Sequence, residues 1–259
     1  MRMMKKVLGT VTVLALSVSL LAGCGSTAVS PVSSTASTAA ESTTSSVVSE
    51  TTSAAADENA AAAAQLLNDL TGSYQELWPV ILADEYQQTW LDDCTALVGE
   101  ENAEAAFEKL SSMVTGDVYG EDAVEAYANG GGAYFCGFTN SLAILTFDGE
   151  TSTISGTDKD GNVLFSHTYH YIGMEPVHGL YEFESDDADS GEFTYFFLAP
   201  DTSAETYHIE FRYGSDAEAL SQYDAGEYAY WVASGISTDC DQTMIDNCIE
   251  LFCTENLAG

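Results

Sequence analysis

The sequence predicts an α+β fold, mainly β: an antiparallel meander that closes or nearly closes into a β-barrel, with helices before and after it. Three observations predict it. Apolar residues recur at helical spacing from about residue 59 to 128. From about 133 to 214 the period falls to two, in short runs split by turn residues. After 216 the helical spacing returns and runs to about 257.

The elements follow in order. Asn59 to Leu70 is Ala-rich with Leu66, Leu67 and Leu70 at helical spacing, and reads as a short helix. Gly72 to Pro79 is a compact aromatic segment closed by proline. Helical pattern resumes over Val80–Val98, Asn102–Met113 and Asp122–Ala128, and Asn129 with three glycines at 130–132 ends it. The expected strands are Ala133–Phe138, Leu142–Phe147, Ser152–Thr157, Val163–Ile172, Gly179–Glu184, Phe193–Leu198 and Thr206–Tyr213. Asp148-Gly149 and Lys159-Asp160-Gly161-Asn162 are hairpin chemistries. Asp216 to Tyr223 reads as a short helix and Tyr228 to Val232 as extended. Thr238 or Asp239 is placed to cap the final helix to Leu257.

The first quarter of the chain reads differently. Arg2, Lys5 and Lys6 precede an uncharged apolar run, Val7–Leu21, which ends in Leu21-Ala22-Gly23-Cys24. That is the pattern of a bacterial lipoprotein signal over 1–23, with Cys24 the lipidated residue of an extracytoplasmic, membrane-anchored chain. In Gly25–Asp57, seventeen of thirty-three residues are Ser or Thr and none is aromatic. Such a stretch buries too little apolar surface to order itself. It reads as a linker over 24–58, spanning roughly 30 Å as a flexible coil. The folded domain is expected over 59–259.

Charge excludes some partners. The chain has 41 acidic and 6 basic residues. Three of the basic residues leave with the signal, so 41 − 3 gives a net charge of −38. Nucleic acid and anionic lipid are both repelled, so membrane attachment falls to the anchor alone. Cations are attracted.

Five cysteines remain after Cys24: Cys94, Cys136, Cys240, Cys248 and Cys253. Their spacings match no zinc ribbon or finger. On one helix, Cys240 and Cys248 would stand roughly 12 Å apart and Cys248 and Cys253 roughly 7.5 Å. Neither pair suits a disulfide. Cys94 and Cys136 are therefore the expected partners of the terminal helix, with the pairing open.

The chemistry-bearing residues gather in the β part. Alternation in Thr206–Gly214 puts Tyr207, Ile209, Phe211 and Tyr213 on one face and His208, Glu210 and Arg212 on the other. Imidazole and carboxylate two residues apart form a normal donor pair for zinc. The plain alternative is an amphipathic strand with a wet face and a Glu–Arg pair. His167 and His170 fall on opposite faces of their strand, and His178 follows Pro176 at a strand entry. Asp158-Lys159-Asp160-Gly161-Asn162 has calcium-like oxygen content, but its glycine is one place early for an EF-hand loop, so it reads as a hairpin turn. No nucleophile elbow, P-loop, dinucleotide fingerprint or His-Glu-x-x-His occurs, and no enzyme is expected.

Three stretches carry a family resemblance. They are Leu70–Pro79, with Gly72-x-Tyr74-Gln75-x-x-Trp78-Pro79; Ile154–Phe183, around Tyr169-x-Tyr171-x-Gly173; and Tyr207–Gly214 followed by Ser215-Asp216. Together they resemble the ZinT (YodA) family of extracytoplasmic zinc-binding proteins, from about Leu70 to Ile236. The resemblance implies a lipocalin-like barrel that binds zinc at its mouth and serves zinc acquisition or buffering, in association with a metal ABC transporter. The family site uses three histidines. His208 falls on the first of a His-x-His pair and Glu210 on the second. The remaining position falls on Ala199, or near Asp201 with a small shift. The family's His-rich stretch is absent. The expected metal residues are thus His208 and Glu210, with His178, His170 or Asp201 completing the sphere. A carboxylate in place of imidazole loosens selectivity toward manganese or calcium. The alternative is a lipocalin-like ligand-binding or cell-surface interaction domain with a decayed metal site.

Overall fold

The structure, a computed structural model, describes residues 58–129, 132–199 and 208–258. The signal, most of the linker, Cys24 and Asp201 lie outside the described residues.

Eight antiparallel strands close into a barrel in which each strand pairs with its sequence neighbours and β8 returns to β1. They are β1 (Gly72–Glu76), β2 (Ile144–Asp148), β3 (Thr153–Thr157), β4 (Val163–Met174), β5 (Tyr181–Ser185), β6 (Tyr195–Leu198), β7 (His208–Gly214) and β8 (Ala233–Ser237). The helices are α1 (58–69), α2 (Leu77–Ile81), α3 (Gln87–Val98), α4 (Glu100–Val114), α5 (Glu121–Ala128), α6 (Ala217–Leu220) and α7 (Gln242–Leu257).

The meander is thus closed, and two of its strands come from outside the expected span. β1 lies in the aromatic segment before Pro79. β8 starts just after the expected extended stretch Tyr228–Val232. The expected strand Ala133–Phe138 does not join the barrel. Phe135 forms isolated bridges with Thr115 and Trp231. The reason is hydrogen bonding: β8 already pairs with both β1 and β7, leaving only its first residues for another strand. Ser234 N still donates to Cys136 O there.

Residues opposite one another on paired strands share a face, so the register traces an inside and an outside. The inside is aromatic. Phe165 of β4 lies 5.9 Å from Phe196 of β6, across the intervening strand, and Phe196 meets Tyr213 of β7 at 5.4 Å. Phe147, Phe183, Phe196, Phe211 and Tyr213 are all buried in this one cluster. α1 adds Ala63, Leu66 and Leu67 to it, and Leu70 just after α1 joins them.

A second core lies outside the barrel wall. Trp90 and Cys94 of α3, Leu110 of α4, and Ile245, Cys248, Ile249 and Cys253 of α7 cluster with Ile236 of β8. The outer face of β8 is therefore roofed by helices. Asp241 caps α7 by accepting from Met244 N, two to three residues after the expected cap. At the β3–β4 turn Asp158 accepts from Asp160 N and Asn162 N, and Gly161 takes φ +81°, which makes this a hairpin turn.

Candidate metal site on the outer face of β7

β7 forms because Ile209, Phe211 and Tyr213 alternate into the aromatic interior. That fixes the intervening residues outward. His208 sits opposite Ile236, and Glu210 opposite Ser234. His208 and Glu210 are both half-buried. Since Ile236 belongs to the helical cluster, this pair faces the helix layer and not the barrel interior.

Two thiols mark where the Glu210 charge acts. Burial raises the Cys136 and Cys248 pKa values, and the Glu210 carboxylate raises both further, Cys248 to about 12. Glu210 therefore stands near the 133–138 segment on one side and α7 on the other. Nothing in the sequence pointed to these neighbours, because Cys136 and Cys248 are too far apart in the chain to form a motif.

Across the sheet, Ala199 N donates to Glu210 O at 2.9 Å. Leu198 pairs with Phe211, so Ala199 continues that register opposite Glu210 and shares its face. His208, Glu210 and position 199 thus converge, but position 199 carries only a methyl group. Among the described residues no group of three or more His, Cys, Asp or Glu side chains gathers closely enough to hold one ion.

Arg212 also points outward, but its guanidinium is committed elsewhere. Nη1 and Nη2 donate to the carbonyls of Leu220, Gln222 and Tyr228. The guanidinium carbon lies 4.3 Å from the Tyr223 ring centroid. The side chain is fully buried. It anchors the 220–228 segment against the barrel wall.

His178 joins this second cluster and not the first. Its ring packs against Tyr223 at a tilt of 46°, with centroids 3.8 Å apart, and Nδ1 lies 3.7 Å from Glu175 Oε2. Glu175 is fully buried and accepts from Val177 N and His178 N. Burial pushes the His178 pKa down, and Arg212 adds to this, against a rise from Glu175.

His170 is farther away. The register runs His170–Glu184–Tyr195–Gly214, and Gly214 is six residues along β7 from His208, roughly 20 Å. His170 Nδ1 lies 2.8 Å from Asp186, and on the opposite face His167 Nδ1 lies 2.7 Å from Asp187. The opposite-face reading of these two histidines holds. Of the expected metal residues, the structure brings together His208 and Glu210. His178 and His170 sit in other clusters, and Asp201 lies outside the described residues.

No family model matches the sequence, and no curated protein matches it. Among solved structures the chain is similar to the Zn(II)-bound ZinT-like domain of AdcA from Streptococcus pneumoniae. The identity is 16%, the TM-score 0.45, and the match covers 71% of this chain and 89% of that one. It is also similar to Zn(II)-bound AdcA of the same organism, at 14% identity and a TM-score of 0.43, covering 72% of this chain and 35% of that one.

Proposed function

We propose that this protein is a lipid-anchored, extracytoplasmic domain that binds a divalent metal ion, zinc foremost, and buffers it near the membrane or delivers it to a metal transporter. The observation that carries the reading is the placement of His208 and Glu210 on one outward face of a single strand, with position 199 directly across from Glu210. A strand holds such a pair rigidly, so little ordering entropy is lost when an ion binds. Imidazole favours zinc over hard cations, and the carboxylate supplies charge. Asp201, two residues beyond Ala199 in the chain, is the third donor in this reading, and water the fourth ligand. The strong negative charge of the chain concentrates cations around it. The three sequence stretches that resemble the ZinT family support zinc as the first choice.

The rival reading, an apolar ligand held within the barrel, meets an interior already occupied by rings from β2, β4, β5, β6 and β7.

Calorimetry tests the proposal. Protein stripped with chelator is titrated with zinc at about physiological ionic strength, where diffuse binding to acidic surface is screened. One ion per chain is expected, with affinity at least about tenfold weaker in His208→Ala and in Glu210→Gln. Absence of saturable heat, or equal affinity in all three proteins, refutes it.

A further inference from the structure

The helical layer brings two cysteines from distant parts of the sequence face to face. Cys94 on α3 and Cys253 on α7 are both fully buried, with Sγ atoms 3.9 Å apart across 159 positions of chain. Each lies on the face of its helix turned toward the other helix, in one cluster with Trp90, Leu110 and Ile249. A bonded sulfur pair is about 2 Å apart, so the two sulfurs already stand in van der Waals contact, one bond-forming approach from each other.

We propose that Cys94 and Cys253 form a disulfide that staples the last turns of α7 to α3. The oxidant is a disulfide, carried by a thiol oxidoreductase or a small molecule. Each cysteine thiol loses one proton and one electron, and a bond forms between the two Sγ atoms. The two electrons and two protons convert the oxidant's disulfide to two thiols. Exchange runs through thiolate. In the folded protein burial raises both thiol pKa values, which holds them protonated. Burial of both sulfurs also shields the finished bond from external reductant. α7 also carries Cys248 beside Glu210, so the staple fixes the wall that faces His208 and Glu210. The pairing stands on the helix geometry alone and does not depend on metal binding.

The test is a peptide map. The full chain is refolded with a mixture of reduced and oxidised glutathione, denatured, alkylated without reductant, and cut by a glutamyl endopeptidase. Cleavage after Glu85 and Glu100 isolates Cys94, and cleavage after Glu250 and Glu255 isolates Cys253. The expected product is 86–100 joined to 251–255. Alkylation of both cysteines, or linkage of either to another cysteine, overturns the proposal. As a second readout, reductant present during folding lowers the wild-type melting midpoint by about 5–10 °C more than that of Cys94→Ser/Cys253→Ser. Equal shifts in the two proteins overturn it as well.

Discussion

Arg212→Met tests whether the outward side of β7 changes role between Glu210 and Arg212. In the native protein the guanidinium satisfies three backbone carbonyls, of Leu220, Gln222 and Tyr228, two of them across buried contacts. It also caps the Tyr223 ring. Methionine fills much of the same volume but donates nothing. A hydrogen bond from a charged donor contributes about 1.5–3 kcal/mol, and a buried acceptor left unpaired costs about 1–3 kcal/mol. Set against this, the substitution relieves the cost of burying the guanidinium, whose Nε finds no hydrogen-bond partner among the described residues. The net expectation is a loss of about 3–5 kcal/mol, in line with removing one member of a buried polar network. For a domain of this size that is a fall in melting midpoint on the order of 10 °C. Urea denaturation followed by circular dichroism measures it. Arg212 and the buried Glu175 act on each other electrostatically, so adding Glu175→Gln is expected to cost less in the Arg212→Met background than in wild type. A single variant within about 1 kcal/mol of wild type would show that the 220–228 segment is held by something other than this side chain.

Two further outcomes follow from the same geometry. His178 has a folded pKa lowered below its unfolded value near 6.5 by burial, with Arg212, Glu175 and Tyr223 as the groups facing it. The unfolded chain therefore binds the proton first as pH falls. The stability contributed by neutral His178 is complete above about pH 6.5 and is lost progressively below it. His178→Phe, which keeps a ring against Tyr223, is expected to flatten the urea midpoint between about pH 7.5 and 5.5, and an unchanged slope counts against the assignment. Gly149 at the β2–β3 turn touches α1 so closely that an added Cβ would lie 2.4 Å from Asn68 Cα and 2.5 Å from Leu67 O. Gly149→Ala is expected to cost about 1–3 kcal/mol and to raise protease cleavage near α1, as judged by the rate of limited proteolysis.

The barrel was legible wherever alternation was strong. Val163–Met174 carries Val163, Phe165, Tyr169 and Tyr171 at alternate places, and His208–Gly214 carries Ile209, Phe211 and Tyr213; both appear as strands close to the expected bounds. The two closing strands carry little of that signal. In β1 only Tyr74 is buried, and β8 is the small-residue run Ala-Ser-Gly-Ile-Ser, whose burial comes from neighbours on both faces. Ala133–Phe138 has the right pattern, but its register partners were already taken. The His208–Glu210 placement followed from period two alone. The environment of that pair did not, because α7, the 133–138 segment and the 220–228 segment reach the outer wall through tertiary packing that local pattern does not encode. Arg212 shows the difference: alternation gave its face, and only the fold revealed that its charge is spent on carbonyls.

The two sides of β7 differ in what they pack against, and the proposed site falls at the start of the strand. The inward side of the strand is occupied by Ile209, Phe211 and Tyr213, each at most 2% exposed. The outward side near its end is sealed by Arg212 and the segment it anchors. His208 and Glu210 lie at the start of its outward side, where the facing position on the β6 side carries only the methyl of Ala199. The buried aromatic cluster packs the inner face of β7, and that packing holds the outward pair His208 and Glu210 at strand spacing. The proposed site therefore draws on wall residues that the aromatic core does not use.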